Sequence, residues 1–218
     1  LDVLQNYTTY KMYFKIIKTI PDDPTLDTAA GVKAIRKYET LHPHNISQKA
    51  TIMLEHFRNV TRHKIGGKAK AMLVTPSRLH AVRYFQEFKR QIELKGYNDL
   101  DVLVAFSGEV VDDGTTYTEE KLNITKDGEH VKENSLPEVF HSDDFGMLIV
   151  AEKYQTGFDE PLLHTMFVDK KLKGVKAVQT LSRLNRSCRG KVDTYVLDFA
   201  NTKDVEVIAE ESITTKIR

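Results

Sequence analysis

The spacing of apolar residues changes character along this chain near Gly66-Gly67. Before that point the periodicity is helical. Tyr7, Tyr10, Tyr13, Phe14 and Ile17 form an aromatic stripe that ends at Pro21-Asp22-Asp23-Pro24, and a second stripe after Ser47 runs through Ile52, Met53, His56, Phe57 and Val60. Residues three and four apart share a helix face, and such a stripe is ordinarily a packing surface. Beyond Gly67, short continuous apolar runs alternate with helical ones. Ala71-Met72-Leu73-Val74 is a run stopped by Pro76; Leu79, Val82, Phe85, Phe88 and Ile92 then recur at helical spacing up to Gly96. Val102-Leu103-Val104-Ala105-Phe106 is the next strand, halted by Ser107-Gly108. Further strands are predicted at residues 147–151, 165–168 and 194–199, a helix over 175–185 and a short helix within 136–145. The stretch 112–135 is polar and charged, as a long surface insertion would be.

Continuous apolar strands alternating with amphipathic helices specify an α/β fold, a parallel sheet covered by helices on both faces. Ligands held by such sheets lie beyond the carboxyl ends of the strands. At 218 residues the chain has room for one well-packed domain. The expected division is a helical extension at 1–45, the sheet domain at 46–205 and the start of a further helical region at 206–218.

Composition adds bounds. Apolar content of 40% and charged content of 29% are ordinary for a soluble protein, and no apolar run is long enough to cross a bilayer. Cys188 is the one cysteine, which excludes an internal disulfide and a zinc site built on CxxC, so a reducing cytoplasmic compartment is expected. The chain opens on Leu1 with no charged-then-apolar leader, so we expect a fragment of a longer polypeptide. Net charge is +1, but unevenly spread: residues 170–191 hold five lysines and three arginines with no acid, while 99–160 is acidic with four lysines. Such a basic run is most often a solvated face, and otherwise a phosphate-binding surface.

Two segments inside and beside that run carry chemistry. In Tyr154-Gln155-Thr156-Gly157-Phe158-Asp159-Glu160-Pro161, a hydroxyl and a glycine allow close backbone approach to phosphate, and a carboxylate follows that can accept from a ribose hydroxyl. In Gln179-Thr180-Leu181-Ser182-Arg183-Leu184-Asn185-Arg186, the amide and both guanidiniums fall at i, i+4 and i+7, one face of a helix. Together they suit a terminal phosphate, whose charge spreads over its oxygens during transfer.

Order, separation and strand context together resemble the C-terminal motor domain of a superfamily 2 helicase. Ala71-Met72-Leu73-Val74-Thr75-Pro76-Ser77-Arg78 is similar to its motif IV, Thr156-Gly157-Phe158-Asp159 to motif V and residues 179–186 to motif VI. More narrowly, TGFDEPLL and QTLSRLNR with VDKKLKG between them resemble the R subunit of type I restriction enzymes, from about residue 46 to 202, and Asn6-Tyr7-Thr8-Thr9-Tyr10 resembles that family's link between motor domains. The resemblance implies a RecA-like fold, with Arg186 as arginine finger, Arg183 and Gln179 as its γ-phosphate partners, and Gly157 and Asp159 at the nucleotide. Thr75, Arg78 and Thr156 would touch the DNA backbone. It also implies ATP and Mg2+ held mainly by a preceding RecA-like lobe, double-stranded DNA as the track, a nuclease domain in the same chain, and separate methyltransferase and specificity subunits. Ser182 departs from the general helicase pattern, which has glycine before the first arginine.

A phosphate-cradling GxxxxGK[ST] loop is missing: Gly66-Gly67-Lys68-Ala69 lacks the first glycine and the hydroxyl. No DEAD-like string is present to hold magnesium, so this piece alone is expected to hydrolyse nothing. Two rival readings stand beside the motor. One is a magnesium-dependent nuclease built on Asp159, Asp169 and Lys171; it leaves Gln179, Arg183 and Arg186 without a task. Glu119-Glu120-Lys121 also fits an ExK pattern but sits in the polar insertion. The other rival is a RecA-like module that only binds partners. His42, His44, His56 and His63 make no closed ligand set, and no metal site is expected.

Overall fold

The computed structural model describes residues 37–154 and 158–200. The expected aromatic stripe near the start, the region 206–218, Thr156 and Gly157 lie outside them. The chain divides after His42 into two units, and the fold that follows is that of the second, from Pro43 onward.

It opens with α1 (Pro43–Asn59). This helix begins before Ser47, where the apolar stripe starts, because a proline is well suited to a first helical turn, where its missing N–H is no loss. Then come β1 (Lys70–Val74), α2 (Arg78–Leu94), β2 (Val102–Ala105), β3 (Glu109–Asp112), β4 (Thr115–Thr118), α3 (Glu119–Leu122), α4 (Leu136–His141), β5 (Met147–Val150), β6 (Leu163–Val168), α5 (Val175–Leu181) and β7 (Tyr195–Asp198). Five strands make one sheet in the order β2-β5-β1-β6-β7, every neighbouring pair parallel. Alternate residues of the strands feed two cores. Ala71, Leu73, Val102, Val104, Met147, Ile149 and Phe167 pack with α1 and α2. Met72, Val74, Leu103, Ala105, Leu148, Val150, Met166 and Val168 pack with α4 and α5. A sheet buried on both faces is why its strands read as unbroken apolar runs. Gly146, just before β5, leaves room for Phe57: an added Cβ would lie 2.5 Å from that ring.

The polar insertion is more ordered than its composition predicts. β3 and β4 form an antiparallel hairpin. Its turn residues Asp113 (φ 48°) and Gly114 (φ 78°) are both left-handed, the backbone that a two-residue hairpin turn needs. Glu119 and Asn123, on and just after α3, are buried and turned toward the outer edge of β2. Along that edge the Val102 N–H donates to Asp101 Oδ1 (2.7 Å), the Val104 N–H to Asn123 Oδ1 (2.9 Å) and the Phe106 N–H to Glu119 Oε2 (2.8 Å). The Asn123 amide returns a bond to the Val104 carbonyl at 2.7 Å. Side chains thus occupy an edge that would otherwise present open donors to another strand.

Candidate functional site: two clusters on the sheet

One cluster lies where β1 and β2 end. Thr75 follows β1, but its side chain is fully buried and its hydroxyl donates to the Val150 carbonyl (2.9 Å) and the Ser77 carbonyl (3.2 Å). Thr75, expected to touch the DNA backbone, is thus buried, and its hydroxyl shapes the strand-to-helix turn from inside. Ser77 caps α2, accepting from the His80 N–H. Arg78 is exposed at the first turn of α2, and its Nη1 donates to the Ser107 carbonyl at 2.9 Å. Gly108 (φ 78°) accepts this approach, since an added Cβ would come within 2.9 Å of that nitrogen.

The second cluster joins the two segments singled out for phosphate chemistry. Arg186 Nε lies 3.0 Å from Asp159 Oδ1, and Arg183 Nη1 donates to the Phe158 carbonyl at 2.8 Å. Phe158 itself is buried, against Tyr154 and Phe140. Both members of the Arg186–Asp159 pair are half or more exposed, at 52% and 65%. Gln179 is exposed on α5.

The continuous helix expected over 175–185 is not formed. α5 stops at Leu181, residues Ser182–Asn185 tighten into a 3-10 turn, and Arg186 is extended at φ −68°, ψ 123°. The Ser182 hydroxyl donates to the Gln179 carbonyl at 3.0 Å, a local bond of the kind that competes with a helical ladder. Gln179, Arg183 and Arg186 are therefore not one face of one helix. Arg183 and Arg186 meet instead over the segment Phe158–Asp159.

Their location also differs from the general rule for parallel sheets. The Pro161 carbonyl, two residues before β6, accepts from Lys191 Nζ (3.2 Å) and from Cys188 Sγ (3.4 Å). The arginine-bearing turn hence lies beside the amino end of β6. The carboxyl-end rule concerns ligands that a sheet holds by itself. Burial lowers the Lys191 pKa from the ordinary lysine range.

The nuclease reading fares poorly in this geometry. Asp169 directly follows β6, is buried, and accepts from Lys49 Nζ at Oδ1 (2.7 Å) and from the Tyr84 hydroxyl at Oδ2 (2.6 Å). Both oxygens that a metal would need are occupied, and Asp159, on the other side of β6 in the chain, faces Arg186. Glu119 of the ExK string is likewise spent, on the Phe106 N–H and on Lys153. Burial raises its pKa, against the pull of Lys153. Among the described residues no three His, Cys, Asp or Glu side chains gather to hold a metal. Sequence reasoning passed over Lys191 and Asn123: both bond main-chain groups, which no spacing of side chains marks.

A family model described as type I restriction enzyme subunit R domain 3 matches residues 118–201. The type I restriction enzyme MjaIXP endonuclease subunit of Methanocaldococcus jannaschii is 29% identical over 192 residues, 87% of this chain and 17% of that protein. This chain is thus similar to endonuclease subunits of type I restriction enzymes. The MjaVIIP endonuclease subunit of the same organism is 26% identical over 191 residues, covering 84% of this chain and 18% of its own length. The chain thus spans less than a fifth of the length of these relatives. In fold it is similar to a fragment of an HsdR subunit of a type I restriction enzyme from Vibrio vulnificus YJ016, at TM-score 0.52 and 14% identity, over 84% of this chain and 30% of that one. The architecture is a five-stranded parallel sheet flanked by helices. No helix among the described residues is long and apolar enough to cross a membrane.

Proposed function

We propose that this chain is the second RecA-like lobe of an ATP-driven DNA translocase, working within a type I restriction enzyme and inactive by itself. The observation that carries the reading is the Arg186–Asp159 pair: two segments 27 residues apart in the chain meet through a solvent-facing guanidinium and carboxylate, 3.0 Å apart. Exposed pairs of this kind contribute at most about 1 kcal/mol, so Asp159 holds Arg186 in a position from which a stronger anion can take it. Phosphate is such an anion, binding guanidinium in two parallel hydrogen bonds.

Arg186 and Arg183 act as arginine fingers. Gln179, Gly157 and Asp159 complete the contacts to nucleotide. ATP with Mg2+, bound mainly by the preceding RecA-like lobe, supplies the phosphoanhydride whose cleavage drives the cycle. The donor set here fits that group: two guanidiniums and an amide suit a polyphosphate, and the metal would take its ligands from the other lobe. Closure of the two lobes brings Arg183 and Arg186 to the γ-phosphate, and their release lets the lobes part. Arg78 and Thr156 grip the DNA backbone, with Thr75 supporting the turn that carries Arg78; contacts to phosphate position a protein on duplex without reading sequence. Recognition then belongs to a specificity subunit, alongside a methyltransferase subunit and the nuclease domain of the same chain.

The test is Arg186→Ala in the full-length protein, measured as DNA-stimulated ATP hydrolysis. Loss of such a finger costs about 10³- to 10⁵-fold in rate. Unchanged hydrolysis with intact folding removes the finger assignment and the motor reading with it.

A further inference from the structure

Arg186 stands on main chain that no regular element holds. The 3-10 turn ends at Asn185, and Arg186 itself is extended. Its side-chain tie to Asp159 faces solvent on both sides. Water and salt screen a pair of that kind, so it fixes geometry only weakly. The main chain around Arg186 is fixed by another group. Lys191 closes a turn through its N–H to the Cys188 carbonyl (3.2 Å), with Gly190 at φ 87°. Its ammonium then reaches back to the Arg186 carbonyl at 2.7 Å and across to the Pro161 carbonyl at 3.2 Å. One cation therefore bridges the two segments that carry the phosphate chemistry, through an acceptor from each.

We infer that Lys191 is a positioning residue for Arg186, the brace that sets where the guanidinium points when nucleotide arrives. The inference rests on the motor reading above. Lys191 does not face the nucleotide in this scheme, because its hydrogen bonds go to main chain. Its effect passes through Arg186 alone. A charge-assisted bond to a carbonyl is stronger than a neutral one and tolerates little drift in the atoms it joins. Misplacing a reacting group by about 1 Å costs on the order of 10²-fold in rate.

The experiment compares DNA-stimulated ATP hydrolysis by the full-length protein with Lys191→Met, Lys191→Arg, Arg186→Ala, and Lys191→Met combined with Arg186→Ala. Lys191→Met keeps the aliphatic stem and removes the donors. The expected result is a kcat lower by about 10- to 100-fold with the KM for ATP unchanged, because only transition-state alignment is lost. Lys191→Arg, which can still donate to both carbonyls, recovers most of the rate. In the Arg186→Ala background, Lys191→Met costs nothing more, since residues acting as one unit are not additive. A merely structural lysine would lower the rate multiplicatively in both backgrounds, and that outcome overturns the inference. So does wild-type kcat in Lys191→Met while Arg186→Ala is inactive. Arg186→Ala at the wild-type rate is the separate result that removes the motor reading. Should Lys191→Met fail to fold, Lys191→Gln takes its place, keeping one donor without charge; an intermediate kcat at unchanged KM is expected, and full activity overturns the brace.

Discussion

Replacing Asn123 by alanine tests how the outer edge of the sheet is closed. The Asn123 side chain is fully buried and serves Val104 twice, accepting from its N–H at 2.9 Å and donating to its carbonyl at 2.7 Å. Val104 sits within β2, whose one sheet neighbour is β5, so no strand stands ready to replace the lost partner. Alanine strands one buried donor and one buried acceptor. Each unsatisfied group costs about 1–3 kcal/mol, and partial relief by water in the vacated space brings the sum to about 3 kcal/mol. That is a large share of the roughly 5–15 kcal/mol that holds a domain together. The assay is urea unfolding followed by circular dichroism. With a slope of about 2 kcal/mol per molar urea, the midpoint falls by about 1.5 M while the slope stays the same. Amide exchange at Val104 rises in parallel, which ties the loss to this strand. A midpoint shift under about 0.3 M at unchanged slope would show that the β2 edge is already satisfied by water, and the account of the insertion as its cover would be wrong.

Two further outcomes follow from one buried and one half-buried carboxylate. Asp169→Ala leaves Lys49 Nζ and the Tyr84 hydroxyl without their shared acceptor; breaking such a buried pair costs about 3–5 kcal/mol, so the melting temperature drops by about 10 °C, and a drop under about 2 °C would refute the network. Glu87 has its pKa lowered to about 2: burial pushes it up, but hydrogen bonds from Arg90, Gln91 and Ser47 outweigh that. A carboxylate whose folded pKa is depressed contributes stability that is present above its unfolded value near 4.5 and is lost as pH falls toward 2. Glu87→Gln therefore flattens the decline of stability between those limits, by on the order of 2 kcal/mol after screening, and an unchanged pH profile of unfolding would contradict the assignment.

The inner strands were legible because burial leaves them almost wholly apolar: β1 after Lys70, β2 and β5 fall where the unbroken apolar runs do, the half-exposed β7 is marked by Val196-Leu197, and β6 begins two residues earlier than expected. That misplacement has a reason. Leu163 and His164 belong to the strand, but a histidine interrupts the apolar run, and its burial becomes visible only with its partners, Thr165 Oγ1 at 2.9 Å and Asp193 at 3.0 Å. The same blindness explains the insertion. Glu119 and Asn123 read as surface residues because their partners are main-chain groups of β2, which no periodicity records. The end of α5 failed differently. A helix face at 3.6 residues per turn does not continue through Ser182, where a side-chain bond to the Gln179 carbonyl accompanies a tighter turn. Arg183 and Arg186 nonetheless come together, because what joins them is the segment Phe158–Asp159, one arginine on its carbonyl and the other on its carboxylate. Residue type singled out two segments that meet in the fold, while the contact between them depends on a crossing that spacing along either segment does not encode.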